Sequence, residues 1–92
     1  MAKIIVSMRI MPESPESPLH DIETQAMALI KDFAGDVETK TEITPVAFGL
    51  KAVDIKFVLD ESKGGTDKLE EKISEISGVN SAEVTDVRRI VG

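Results

Sequence analysis

Two stretches of strict alternation limit what this chain can become. Over Lys3–Met11, Ile4, Val6, Met8 and Ile10 share one side, while Lys3, Ile5, Ser7, Arg9 and Met11 share the other. Over Leu50–Leu59, Val53, Ile55, Phe57 and Leu59 oppose Asp54, Lys56 and Val58. A period of two is the pattern of a half-buried strand, and its apolar side needs a cover. Two amphipathic stretches can supply one. Leu19, Ile22, Ala26, Leu29 and Phe33 recur at intervals of 3, 4, 3 and 4, and Ile30 widens the stripe. Ser17-Pro18 reads as the cap and first residue of that helix, which should run from about Pro18 to Ala34 and stop at Gly35. Leu69, Ile73 and Ile76 mark a second helix. Thr66 or Asp67 should cap it, Asp67 and Glu70 have capping-box spacing, and Gly78 should end it.

Two weaker strands complete the set. Val37–Ile43 alternates but is rich in threonine, which suits a strand with an exposed face. Asn80–Val91 alternates until Thr85-Asp86, where Ala82 and Val84 would otherwise share a side with Asp86 and Arg88; a bulge is expected there. The three prolines of Met11–Pro18 make that segment a loop. Thr44–Gly49 and Asp60–Gly65 interrupt the pattern elsewhere. The order β-α-β-β-α-β predicts an α+β fold of the ferredoxin-like type: a four-stranded antiparallel sheet with two helices on one face. Lys3, Arg9, Lys40, Asp54, Lys56 and Glu83 would lie on the open face, which their mixed charge keeps solvated.

Composition narrows the function. A chain of 92 residues is expected to form a single domain, 1–92. Asp and Glu number 17 against 11 Lys and Arg, so the net charge is −6 and broad binding to nucleic acid is disfavoured. The lack of cysteine excludes disulfides, thiol chemistry and cysteine-ligated metals. No apolar run approaches the ~20 residues of a membrane span, and no leader precedes the first strand, so a cytoplasmic location is expected.

Few residues suggest chemistry. His20 is the only histidine and sits in a polar first turn, where an exposed helix-start role fits better than metal ligation. Asp60-Glu61 and Asp67-Glu70-Glu71 read as solvated or capping carboxylates rather than an acid–base pair. Gly64-Gly65-Thr66 lacks the P-loop and Rossmann patterns and lies among acids, so it reads as a turn. The aromatics are three phenylalanines, and Phe33 and Phe57 lie on apolar faces; the outer aromatic pair of an RNA-recognition sheet is missing. No metal or cofactor is expected. Phe48, on a glycine-containing connection, either tucks over the core edge or stands out as an anchor for a partner's pocket. Arg88-Arg89 either protects an edge strand or presents a cation to a phosphate or carboxylate.

Four blocks carry a resemblance: Pro45-Val46-Ala47-Phe48-Gly49-Leu50-Lys51-Ala52, Asp60-Glu61, Thr66-Asp67-Lys68-Leu69-Glu70-Glu71-Lys72-Ile73 and Val79-Asn80-Ser81-Ala82-Glu83-Val84. Through them the chain resembles the translation elongation factor 1-beta family, in its short archaeal form. The resemblance implies guanine-nucleotide exchange on the GTPase elongation factor 1-alpha, by a protein that is not an enzyme. It implies the same β-α-β-β-α-β fold. The aromatic of the proline block inserts into the GTPase in that family, and this position is Phe48. A lysine near the end of the eukaryotic chain, reaching toward the magnesium and phosphate site, falls on Arg89, with Arg88 as the second candidate. Here the sequence departs from the eukaryotic pattern in having arginines and in lacking tryptophan. A monomer is favoured. Two other readings remain: a small-ligand-sensing regulatory domain, which ligand-induced thermal stabilisation would reveal, and an acylphosphatase-type enzyme, which the acidic, proline-bound loop after the first strand argues against.

Overall fold

The computed structural model describes residues 3–63 and 65–90. The chain runs β1 (Lys3–Pro12), α1 (Leu19–Ala34), β2 (Thr39–Pro45), β3 (Lys51–Asp60), α2 (Asp67–Ser74) and β4 (Val79–Arg89). The strands form one antiparallel sheet in the order β2-β3-β1-β4. This is the expected ferredoxin-like arrangement.

Alternation sorts the sheet's two faces. Val6, Met8 and Ile10 of β1 and Val53, Ile55, Phe57 and Leu59 of β3 are fully buried, and they share one core with Ile22, Ala26, Ile30, Leu69 and Ile73 of the helices. Burying a side chain of this size contributes about 1.5–3 kcal/mol. The centre of α1's buried stripe is Ile22-Ala26-Ile30-Ala34, while Leu19, Leu29 and Phe33 flank it half-buried. The observed stripe therefore follows an interval of four, one step round from the 3-4-3-4 reading.

Several boundaries differ from those the sequence suggests. Ser17 does not cap α1: its Oγ accepts the Ser14 N–H at 3.2 Å, and Pro18 takes the cap position with no side-chain bond. The serine is used to close the proline loop, where two local bonds compete with a helix cap. The expected capping box of α2 is also absent. Glu70 instead accepts the Thr66 hydroxyl at 3.1 Å and the Val84 N–H at 3.2 Å, which ties the helix to β4. That helix stops at Ser74, and two tight turns, Ile76 N–H to Ile73 O and Val79 N–H to Ile76 O, carry the chain to Val79. Gly78 has φ 91°, and a Cβ there would stand 3.5 Å from Ile22 and Pro18. Strand β2 starts later than Val37 and continues through Pro45, because an edge strand can lose one N–H without breaking the ladder. Val91 and Gly64, assigned to the last strand and a turn, lie outside the described residues.

The bulge is where the alternation slips. Met8 pairs with Val84 and Ser7 with Asp86, so Thr85 is the extra residue. Its hydroxyl donates to Ser7 O at 3.2 Å. The extra residue moves Asp86 and Arg88 to the open face and brings Val87 and Arg89 round to the helix side, opposite Val6 and Ile4. Were Thr85 paired in regular alternation instead of bulged out, Asp86 would face the core. A second register shift leaves Asn80 unpaired between Met11 and Pro12.

On the open face, Asp54 accepts Nε and Nη2 of Arg9 at 2.8 and 3.0 Å and the Thr44 hydroxyl at 2.7 Å. The hydrogen bond from Arg9 is the largest influence holding the Asp54 carboxyl below its ordinary 3.8, and it outweighs the effect of partial burial. Its stabilising contribution is therefore complete above the ordinary value and fades as pH falls through the lower folded one. Asp54→Asn should be less stable than the parent at pH 6, and the gap should close toward pH 2. Urea unfolding at both pH values tests this; an unchanged gap would refute it. Deleting Thr85 leaves every other β1–β4 pairing available, so the variant should stay folded and lose about 1–2 kcal/mol. Circular dichroism and urea unfolding measure this, and complete unfolding would be the contrary result.

Candidate functional site

The β2–β3 connection is the sharpest local feature. Val46 N–H bonds Leu50 O at 2.9 Å, and Leu50 N–H bonds Ala47 O at 3.3 Å. Between them Phe48 has φ 63° and ψ 29°, and Gly49 has φ 73°. Two successive positive φ values make a type I′ turn, whose twist matches the flanking strands and whose usual residues are Asn, Asp and Gly. Glycine meets that demand at position 49. Phenylalanine at 48 does not, because Cβ crowds the carbonyl in this region at a cost of about 1–2 kcal/mol. Phe48 is 94% exposed, so packing returns nothing for the strain. The anchor reading of this residue survives, and the tuck over the core edge does not. Phe48 is the only non-glycine residue with positive φ among those described.

The two arginines lie at the other end of the sheet. Arg89 pairs with Ile4 in β1, one residue from the Lys3–Asp60 pair that ends β3. Phe48 precedes Lys51, the start of β3. The ten residues of β3 separate them, about 30 Å at about 3.3 Å per residue. Phe48 and Arg89 therefore do not converge on one site. Nor do the arginines act as a pair. Arg88 lies on the open face, with Nε 2.8 Å from Asp86. Arg89 lies on the helix side, with Nη2 2.7 Å from Glu61 in the turn after β3. Both guanidinium groups are largely exposed. Beside Glu61, the Ser62 N–H and hydroxyl hold the Asp60 carboxyl below its ordinary value.

Further apolar groups accompany each end. Ile43 of β2 is exposed near the Phe48 turn, and Val87 and Ile90 are exposed beside the arginines. Alternation alone assigned Ile43 and Val87 to strands without showing that the helices leave them uncovered. Sequence alone makes Glu61 a solvated carboxylate; its partner, Arg89, lies 28 residues away in sequence. His20 is exposed, and its carbonyl accepts the Thr24 hydroxyl. Among the described residues no group of three acidic, histidine or cysteine side chains could hold a metal ion, and no helix is long and apolar enough to cross a membrane. Because Phe48 gives up little packing, Phe48→Asn should raise stability by about 1 kcal/mol through relief of the turn. Thermal or urea unfolding checks this; a loss of stability would mean that the ring packs in solution.

Comparison with known proteins gives the geometry a context. The family model described as the EF-1 guanine nucleotide exchange domain matches residues 5–90. A protein named elongation factor 1-beta from Methanothermobacter thermautotrophicus is 36% identical over 91 residues, spanning 99% of this chain and 100% of that one. Its namesake from Methanocella arvoryzae is 38% identical over 84 residues, spanning 91% and 92%. Among solved structures, the de novo designed protein Foldit4 covers 98% of both chains at a TM-score of 0.63 and 19% identity, a likeness of fold alone. With the family model spanning all four strands and both helices, and relatives matched over nearly their whole length, this chain belongs to the EF-1 guanine nucleotide exchange domain family.

Proposed function

We propose that this chain acts in the cytoplasm, as one exchange domain, to release GDP from the GTPase elongation factor 1-alpha and allow GTP to reload it. The observation that carries the reading is Phe48. A bare aromatic ring is kept in a strained turn that asparagine or glycine would form more easily. Strain of this kind marks positions retained for contact rather than for folding. Relatives named elongation factor 1-beta support elongation factor 1-alpha as the partner.

The reaction needs no covalent step, and the chain is not an enzyme in that sense. In the proposed complex Phe48 enters an apolar pocket of the GTPase, where a desolvated aromatic is the common form of a binding hot spot. Arg89, with Arg88 as the second candidate, approaches the phosphate and magnesium region at the other end of the sheet. A guanidinium there competes with the cation that bridges the GTPase to the nucleotide phosphates. Coupling is reciprocal: a factor that weakens nucleotide binding is itself weakened by nucleotide to the same extent, so incoming GTP expels it.

Release of fluorescent GDP from elongation factor 1-alpha tests the reading. The parent protein should accelerate release. Phe48→Ala and Arg89→Ala should each slow it by roughly tenfold or more, the scale of a lost hot spot. No acceleration by the parent would end the proposal. Parent-like rates from both variants would leave the function standing and remove these residues from it.

A further inference from the structure

The three arginines differ in how their donors are committed. Arg9 gives Nε and Nη2 to Asp54 and is spent in the open face of the sheet. Arg88 gives Nε to Asp86, two residues away on its own strand, and lies along that face. Arg89, like Arg88, makes one hydrogen bond among the described residues, but to a partner 28 residues away in another element: from Nη2 to Glu61 Oε1 at 2.7 Å. A guanidinium has five N–H donors in a planar fork. One held by a single nitrogen keeps Nε–H and the Nη1 pair free for another anion.

Backbone placement reinforces the difference. Glu61 follows directly on β3, whose last residue, Asp60, pairs with Lys3. The bulge at Thr85 turns Arg89 to the helix side, where Glu61 can meet it. Ile90 N–H donates to Lys3 O at 2.9 Å, which pins the backbone just past Arg89 to β1. The long arginine side chain is therefore held at its root by the sheet and near its tip by Glu61. An unrestrained arginine gives up much rotamer freedom when fixed. A tip already tethered gives up less on docking.

We propose that Glu61 is a positioning residue for Arg89: it fixes the guanidinium at the sheet end, with most of its fork open, ready for an anionic group of the partner's nucleotide site. This rests on the reading of Arg89 given above and adds the element that aims it. An exposed ion pair of this kind is weak, so its effect is modest.

The test compares Glu61→Ala, Glu61→Asp, Arg89→Ala and Glu61→Ala/Arg89→Ala in release of fluorescent GDP from elongation factor 1-alpha, across factor concentrations. Glu61→Ala should lower the maximal rate about threefold with little change in the half-saturating concentration, a size fitting one exposed charge pair. Glu61→Asp should recover part of the loss. Glu61→Ala should add nothing once Arg89 is alanine. Glu75→Ala, the same charge change at an exposed site on α2's far end, should match the parent. A rate for Glu61→Ala equal to or above the parent's overturns the proposal. So does an equal loss in the Arg89→Ala background, which would indicate a structural role. If Arg89→Ala itself matches the parent, the assignment of Arg89 falls and this inference with it. If Arg89→Ala is slow while Glu61→Ala matches the parent, only the inference falls.

Discussion

Strand β1 sits between β3 and β4, and its register with them decides where every other group goes. Val6, Met8 and Ile10 must face the helices, since a shift of one residue would offer the core Ser7 and Arg9 instead. Once that register is set, β3 is fixed by the Met8–Ile55 and Ile10–Val53 pairs, and β4 by Val6–Val87 and Met8–Val84. The two ends of the sheet then acquire their characters. One carries the β2–β3 turn and the other carries Arg89 beside the turn after β3. Neither location is chosen locally; both follow from packing one apolar face.

The same register arranges charge. Arg9 lies opposite Asp54 in β3 and Glu83 in β4, so the central cation of the open face is neutralised by direct neighbours. Lys40 and Lys56 face one another across β2 and β3, a repulsive pairing in a sheet. Lys40 relieves it by leaning to Glu42 at 3.6 Å. In a chain with net charge −6, this leaves the two C-terminal arginines as exposed cations, each paired with one carboxylate.

Much of this is written in short-range pattern. Val53, Ile55, Phe57 and Leu59 announce their strand because both the period and the burial are local consequences of alternation. Even the bulge is legible, since Asp86 and Arg88 cannot follow Val84 into the core. Ser17 is misread because a serine before a helix can cap it or bond a preceding loop, and only the loop's closure decides which. Pro45 is misread because a proline breaks a central strand but is tolerated at an edge, and edge position is a property of the whole sheet. Phe48 could be placed on a turn but not oriented: its exposure goes with a positive φ at its own position, which a phenylalanine does not announce. The Glu61–Arg89 contact needs the full topology, since it joins the end of β3 to the end of β4 across β1.

Separation of the two ends makes mechanical sense of the strain at Phe48. On the proposed reading, binding at one end must be converted into force on a metal and phosphate site about 30 Å away, the length of β3. A flexible connection would let the two contacts form independently, and each would then contribute only its own affinity. A paired strand buried on one face cannot bend that freely, so an anchor seated at Phe48 dictates where Arg89 must lie. The precision of that strut is limited by its least ordered ends. A turn whose central residues hold fixed dihedrals gives the exposed ring a defined mount, and a carboxylate tether is the simplest restraint on an exposed arginine. The strain accepted at one end and the ion pair formed at the other then answer the same requirement, which is to keep a small rigid body rigid as far as its contact atoms.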